Sequence, residues 1–125
     1  MAGSYRDLLV WQKGIDLSKA VYAATGERTF PKEERYGLTA QIRRAAISVP
    51  SNIAEGQARR STKEFVQFLY VAKGSLAELD TQARIARALG YVTASTYEEI
   101  LGRIEELQRM IFFLIKNLRA RRDSQ

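Results

Sequence analysis

Four polar side chains interrupt the alanine- and isoleucine-rich stretch "RRAAISVPSNIAEG" at residues 43–56: Arg44, Ser48, Asn52 and Glu55. A second set, Ser75, Glu78 and Gln82, lies in "GSLAELDTQ". Two carboxylates from these sets, Glu55 and Glu78, are of the type that holds Mg²⁺ for phosphodiester cleavage. Arg44 beside them argues against it, because a guanidinium cancels the charge that a metal needs. The chain has no histidine and no cysteine. That removes the commonest general base, the usual triads, thiolate metal sites and Glu-x-x-His di-iron pairs. We therefore assign no catalytic residue, cofactor or metal, and expect a protein that is not an enzyme.

The cations offer another chemistry. Arg43, Arg59, Arg60 and Lys63 crowd the second helix and the turn after it, and the last three surround a helix start near residue 62, where unpaired N–H groups attract anions. Arg119, Arg121 and Arg122 add a basic tail that can touch phosphates without reading sequence. Net charge is +6 and the pI about 9.8, a balance that favours polyanions, nucleic acid before membrane surface. Those seven residues are the nucleic-acid candidates, with RNA favoured. The alternative is a protein–protein adaptor or assembly protein without a nucleic-acid role. No small-molecule substrate is evident.

Four amphipathic helices must position these groups, in a single domain of 125 residues that is 46% hydrophobic. Their expected spans are about 5–25, 33–58, 62–89 and 96–119, with a frayed basic tail at 119–125. Helix 1 carries two apolar stripes, one through Leu8, Trp11, Ile15 and Tyr22, the other through Val10, Leu17, Val21 and Ala24. In helix 2, Leu38, Ile42, Ala45, Ala46, Val49, Ile53 and Gly56 keep one phase through Pro50. One helix kinked at Pro50 is expected, at a cost of ~3 kcal/mol, with Ser48 and Ser51 placed to offset it.

Ser61 and Glu64 read as a capping box for helix 3, and Gly90 as its stop. Helix 4 is expected to open near Ser95 or Thr96. Short connections then argue an all-α, antiparallel up-down-up-down four-helix bundle. Gln41, Arg44, Ser48, Asn52, Glu55, Ser75, Glu78 and Gln82 are expected to form a structural polar network between helices 2 and 3. Gly74 is expected to let a backbone approach. Phe112 and Phe113 lie off the helix 4 core face. With Val10, Leu17 and Val21 they are the candidates for a subunit interface.

"QIRRAAISVPSNIAEG" and "GSLAELDTQ" closely resemble the bacterial four-helix-bundle family encoded by intervening sequences in 23S rRNA genes. The likeness runs from "DLLVWQKGIDL" to the end of helix 4. It implies a homopentamer, distantly similar to the basic accessory protein of diversity-generating retroelements, which binds nucleic acid and the reverse transcriptase. Arg43, Arg44, Ser48, Asn52, Glu55, Gly56 and Arg60 match the motif of helix 2 and the turn after it. Gly74, Ser75, Glu78 and Gln82 match that of helix 3. The resemblance implies no catalytic residue. The N-terminus shows no secretory leader and no apolar run approaches ~20 residues, so no membrane span is expected and a cytoplasmic location follows by default.

Overall fold

The computed structural model describes residues 4–123; the first residues of the stretch read for a leader, 1–3, and the end of the basic tail, 124–125, lie outside the described residues. The chain folds into a four-helix bundle, with no strand among the described residues: α1 Leu9–Ala24, α2 Leu38–Ala58, α3 Thr62–Ala88 and α4 Ala94–Asp123. Each helix packs on the next, and α1 closes the ring against α4. Partner numbers fall along one helix as they rise along its neighbour. Gly14 and Ser18 of α1 meet Pro50 and Ala46 of α2. Ser48 and Gly56 of α2 meet Ser75 and Phe68 of α3. Tyr70 and Lys73 of α3 meet Arg119 and Phe112 of α4.

The core is filled by Ile42, Val49 and Ile53 from α2, Leu69, Leu76 and Leu79 from α3, and Ile104, Leu107 and Ile111 from α4. From α1 it takes Val10, Leu17 and Val21, 6%, 0% and 0% exposed, so these three do not form a subunit interface. The reason is Gly14. It is buried on the same face, so that stripe is continuous at helical spacing once a glycine counts as a packing surface. The other stripe, Leu8, Trp11, Ile15 and Tyr22, is only partly covered.

Local chemistry moves the helix ends. Tyr5–Asp7 is a separate 3₁₀ turn and Leu8 is extended (φ −77°, ψ 123°), so α1 begins at Leu9 and not at Tyr5. Lys32–Glu34 is likewise a 3₁₀ turn. α2 starts at Leu38, where Glu34 Oε1 accepts its N–H at 3.1 Å. Helix α3 ends as expected, with Gly90 at φ +80°. Its N–H bonds Arg87 O at 3.0 Å and that of Tyr91 bonds Ala86 O at 2.9 Å, a Schellman stop. Helix α4 is capped by Thr93, whose Oγ1 accepts from Thr96 N at 3.1 Å, so it opens before Ser95. It stays helical to Asp123, so the described part of the tail is ordered helix.

Helix α2 runs unbroken through Pro50. Proline has no N–H, so Ala46 C=O loses its helical donor. Neither expected serine replaces it: Ser48 bonds Ser75, and Ser51 is exposed. The donor is Ser18 of α1, whose Oγ lies 3.1 Å from Ala46 O. The proline ring also packs on Gly14, where an added Cβ would come within 3.1 Å of Pro50 Cβ. The hydrogen bond that α2 lacks is thus supplied from the neighbouring helix. At the far end, Gly56 permits the close approach of α2 and α3; a Cβ there would come within 2.6 Å of Phe68 Cβ. Gly74 does no such work, since it is exposed and open space surrounds it.

Candidate nucleic-acid interface

The polar stripe contracts to a core of three residues. Ser48 Oγ and Ser75 Oγ are 2.7 Å apart, and Asn52 Nδ2 donates to Ser48 O and Oγ at 2.8 and 2.9 Å. Ser75 is 7% exposed, so this triad ties α2 to α3 beneath the surface. Gln82 Nε2 reaches Glu78 Oε2 at 3.4 Å within α3, and Gln82 Oε1 is buried without a partner. Gln41 and Arg44 are exposed and their side chains make no hydrogen bond or ion pair among the described residues, so they do not join the network. Arg44 follows Ile42 by two residues, roughly 200° round the helix, which turns it away from the core. Glu55 pairs with Arg59 at 3.2 Å.

The two carboxylates do not converge. The Ser48–Ser75 contact sets Glu78 level with about residue 45 of α2, ten residues or roughly 15 Å along the axis from Glu55. No cluster of three carboxylates able to hold a metal occurs among the described residues.

The expected basic cluster also divides. Arg43 is half-buried and closes the C-terminus of α1. Its Nε donates to Thr25 Oγ1 at 2.8 Å and its Nη2 to Thr25 O at 3.2 Å, while the guanidinium lies 4.4 Å over the Tyr22 ring. A cation at a helix C-terminus is favoured by the dipole and by unpaired carbonyls. Arg43 thus has a structural duty, some sixteen residues or ~24 Å from Arg59 along α2.

Arg59 is committed as well. It pairs with Glu55 at 3.2 Å and Glu64 at 3.7 Å and covers the Phe68 ring at 5.1 Å. The anion seat at the start of α3 therefore contains its own carboxylate. Ser61 Oγ accepts from Glu64 N at 3.3 Å, the half of the capping box that forms. Arg60 and Lys63 remain exposed beside it. Arg60 sits just past the end of α2 at φ 60°, the only described non-glycine residue there.

A site that the sequence reading missed lies between α3 and α4. Tyr70 and Phe112, 43% and 53% exposed, form the walls of a groove of about 400 Å³. Lys73, Lys116 and Arg119 line it, with Asp123 at one end. Lys73 Nζ lies 5.8 Å from the Tyr70 ring and 5.9 Å from that of Phe112, and Arg119 covers Tyr70 at 5.2 Å. Phe113, 54% exposed, stacks edge-on against Phe112 at 5.3 Å. Lys63 continues the row seven residues before Tyr70, on the same face and about 10 Å away. Of the tail cations, Arg119 belongs to this groove, Arg122 lies 3.5 Å from its neighbour Asp123, and Arg121 is exposed on the last turn. The groove offers flat π-faces between positive charges. No helix among the described residues is long and apolar enough to cross a membrane.

The model of the family described as 23S rRNA-intervening sequence protein matches residues 6–112. Among solved structures, the chain is similar to a protein of unknown function from the S23 ribosomal protein family of Bacteroides thetaiotaomicron. The TM-score is 0.78 at 20% identity, covering 86% of this chain and 99% of that one, a likeness of fold. No curated protein matches.

Proposed function

The chain belongs to the 23S rRNA-intervening sequence protein family, and from that premise we propose that it is a non-catalytic RNA-binding protein whose contact surface is the groove between α3 and α4. The observation that carries this reading is the placing of Tyr70 and Phe112 between Lys73, Lys116 and Arg119. Exposed aromatic rings stack unpaired bases at about 1–3 kcal/mol per base. Cations at their edges hold the backbone, and every base has a π-face, so the surface suits a single-stranded or looped RNA without strong sequence choice. Arg60 and Lys63 extend the positive surface past the start of α3. The distribution of charge supports a binding role over solubility alone, because these cations gather round rings instead of alternating with carboxylates.

Fluorescence anisotropy with a labelled RNA hairpin and a matched DNA duplex, titrated across salt, tests this. Tight binding to the hairpin, with log affinity falling by about 0.7 per neutralised phosphate for each tenfold rise in salt, is expected. Lys73→Gln, Lys116→Gln and Arg119→Gln should each flatten that slope, and Tyr70→Ala should weaken binding by roughly fivefold to a hundredfold. Absence of binding at low salt removes the proposal and turns the search to protein partners.

A second observation favours self-association. Trp11 and Ile15 of α1 and Ile47 of α2, the last 42% exposed, line a shallow apolar groove of about 290 Å³. With Phe113 it supplies the unpartnered apolar surface that a ring of subunits requires. The homopentamer implied by the resemblance would use it. Sedimentation of Ile47→Asp and Phe113→Asp tests the point: these variants should dissociate, and a wild-type protein that sediments as a monomer overturns it.

A further inference from the structure

A second and larger groove between α1 and α2, which shares only Ile47 with the apolar one, has no part in the reading above. It holds about 550 Å³ and opens where the 25–37 connection folds over the start of α2, a size within the ~300–1,000 Å³ range of small-molecule sites. Four cations line it, Lys32, Arg35, Arg43 and Arg44, against one carboxylate, Glu27. Glu27 lies 3.6 Å from Arg35, which leaves three positive charges uncompensated. The side chains of Lys32 and Arg44 make no hydrogen bond or ion pair among the described residues. Arg43 is held rigid by Thr25 and the Tyr22 ring through Nε and Nη2, while its Nη1 makes no bond.

Beside these donors stands Tyr36. It is 89% exposed, with Arg35 6.0 Å over its ring, and has no packing role within the chain. One free aromatic face next to unpaired cations fits a molecule with a flat ring at one end and an anion at the other. We propose that this groove binds a nucleotide unit, its base on Tyr36 and its phosphate on Arg44 and Lys32, either as free mononucleotide or as the terminal nucleotide of a strand. It lies across the bundle from the α3–α4 groove, and stands whether or not that groove binds RNA.

The test is heteronuclear NMR titration of the full chain with the nucleoside monophosphates. Nucleosides, inorganic phosphate and a short 5′-phosphorylated oligoadenylate are the comparison probes. A monophosphate should shift amides of residues 35–44 in a saturable way, and nucleoside or phosphate alone should bind at least about tenfold more weakly. Arg44→Gln should weaken the monophosphate about tenfold, the loss expected when one charge-assisted hydrogen bond goes; Tyr36→Ala should act similarly and Lys116→Gln should not. Both altered side chains are exposed, so the variants should keep the wild-type melting temperature. Tighter binding of the oligoadenylate identifies a strand end as the ligand; equal binding identifies the free nucleotide. Shifts confined to Tyr70–Arg119, shifts indifferent to Arg44→Gln and Tyr36→Ala, or no shift with any monophosphate overturn the proposal.

Discussion

Replacing Ser18 by alanine removes the hydroxyl that serves the carbonyl freed by Pro50. Ser18 Oγ lies 3.0 Å from Gly14 O and 3.1 Å from Ala46 O. The Gly14 carbonyl already accepts a helical N–H within α1, so it loses little. Ala46 is 0% exposed and its carbonyl has no helical donor. Leaving a buried acceptor unpaired costs about 1–3 kcal/mol, which for a chain of this size lowers the melting temperature by roughly 4 °C per kcal/mol. Pro50→Ala restores the N–H that Ala46 C=O lacks. The same Ser18→Ala change made in that background should then cost only a few tenths of a kcal/mol, a coupling of ~1 kcal/mol or more. The Pro50→Ala change has terms of both signs, a regained hydrogen bond against lost contact with Gly14, but these cancel from the cycle. Urea denaturation followed by far-UV circular dichroism on the four proteins measures it. An equal cost for Ser18→Ala in both backgrounds would refute the repair.

Arg60→Gly should raise stability by about 0.5–1 kcal/mol, because a left-handed φ of 60° strains any side chain but glycine; the urea midpoint reports it. Arg43→Gln should cost about 1–2 kcal/mol in the same assay, through its bonds to Thr25 and its contact with Tyr22, while RNA affinity at the α3–α4 groove stays unchanged. Burial, and then the 3.1 Å hydrogen bond to Glu34 Oε2, raise the Tyr91 phenol above its ordinary range near 10. The folded state therefore binds this proton more tightly than the unfolded one. Its contribution is complete below pH 10 and is lost as pH rises through the folded value, so stability should fall on the alkaline side and Tyr91→Phe should blunt that fall.

Periodicity carried most of the fold. The faces of α2, α3 and α4 recur at helical spacing, and their central members are the buried ones. It failed on α1, where Gly14 reads as a gap although its bareness makes room for Pro50. It also failed at helix starts. Leu8 and Gly37 are non-helical for reasons of cap geometry that hydrophobic spacing does not encode. The candidate site was legible only by halves. Tyr70 and Lys73 stand three apart on α3, and Phe112, Lys116 and Arg119 recur at four and seven on α4. Only the register of α3 against α4 joins them into one groove. Arg43 and Arg59 stand among the nucleic-acid candidates in sequence because cations cluster there. The structure shows each already answered, by carbonyls at the end of α1 and by Glu55 and Glu64.

A cation satisfied within the fold still counts in the net charge but offers little to a ligand. What remains of the +6 is therefore best judged by position, and it gathers at two grooves. The α1–α2 groove centres near residue 43 of α2; the Tyr70–Lys73 wall of the other lies level with about residue 52, given the Ser48–Ser75 register. The two are on opposite sides of the ring of helices and roughly 15 Å apart along it. Effects at sites so separated add when each binds its own ligand. Arg44→Gln and Lys116→Gln, combined and measured against one oligonucleotide, then distinguish two arrangements. If the RNA uses only the α3–α4 groove, Arg44→Gln changes nothing in either background. If a single strand reaches round the bundle to both, each change weakens binding, and together they lose less than the sum, because the second groove contributes by effective concentration only while the first still holds.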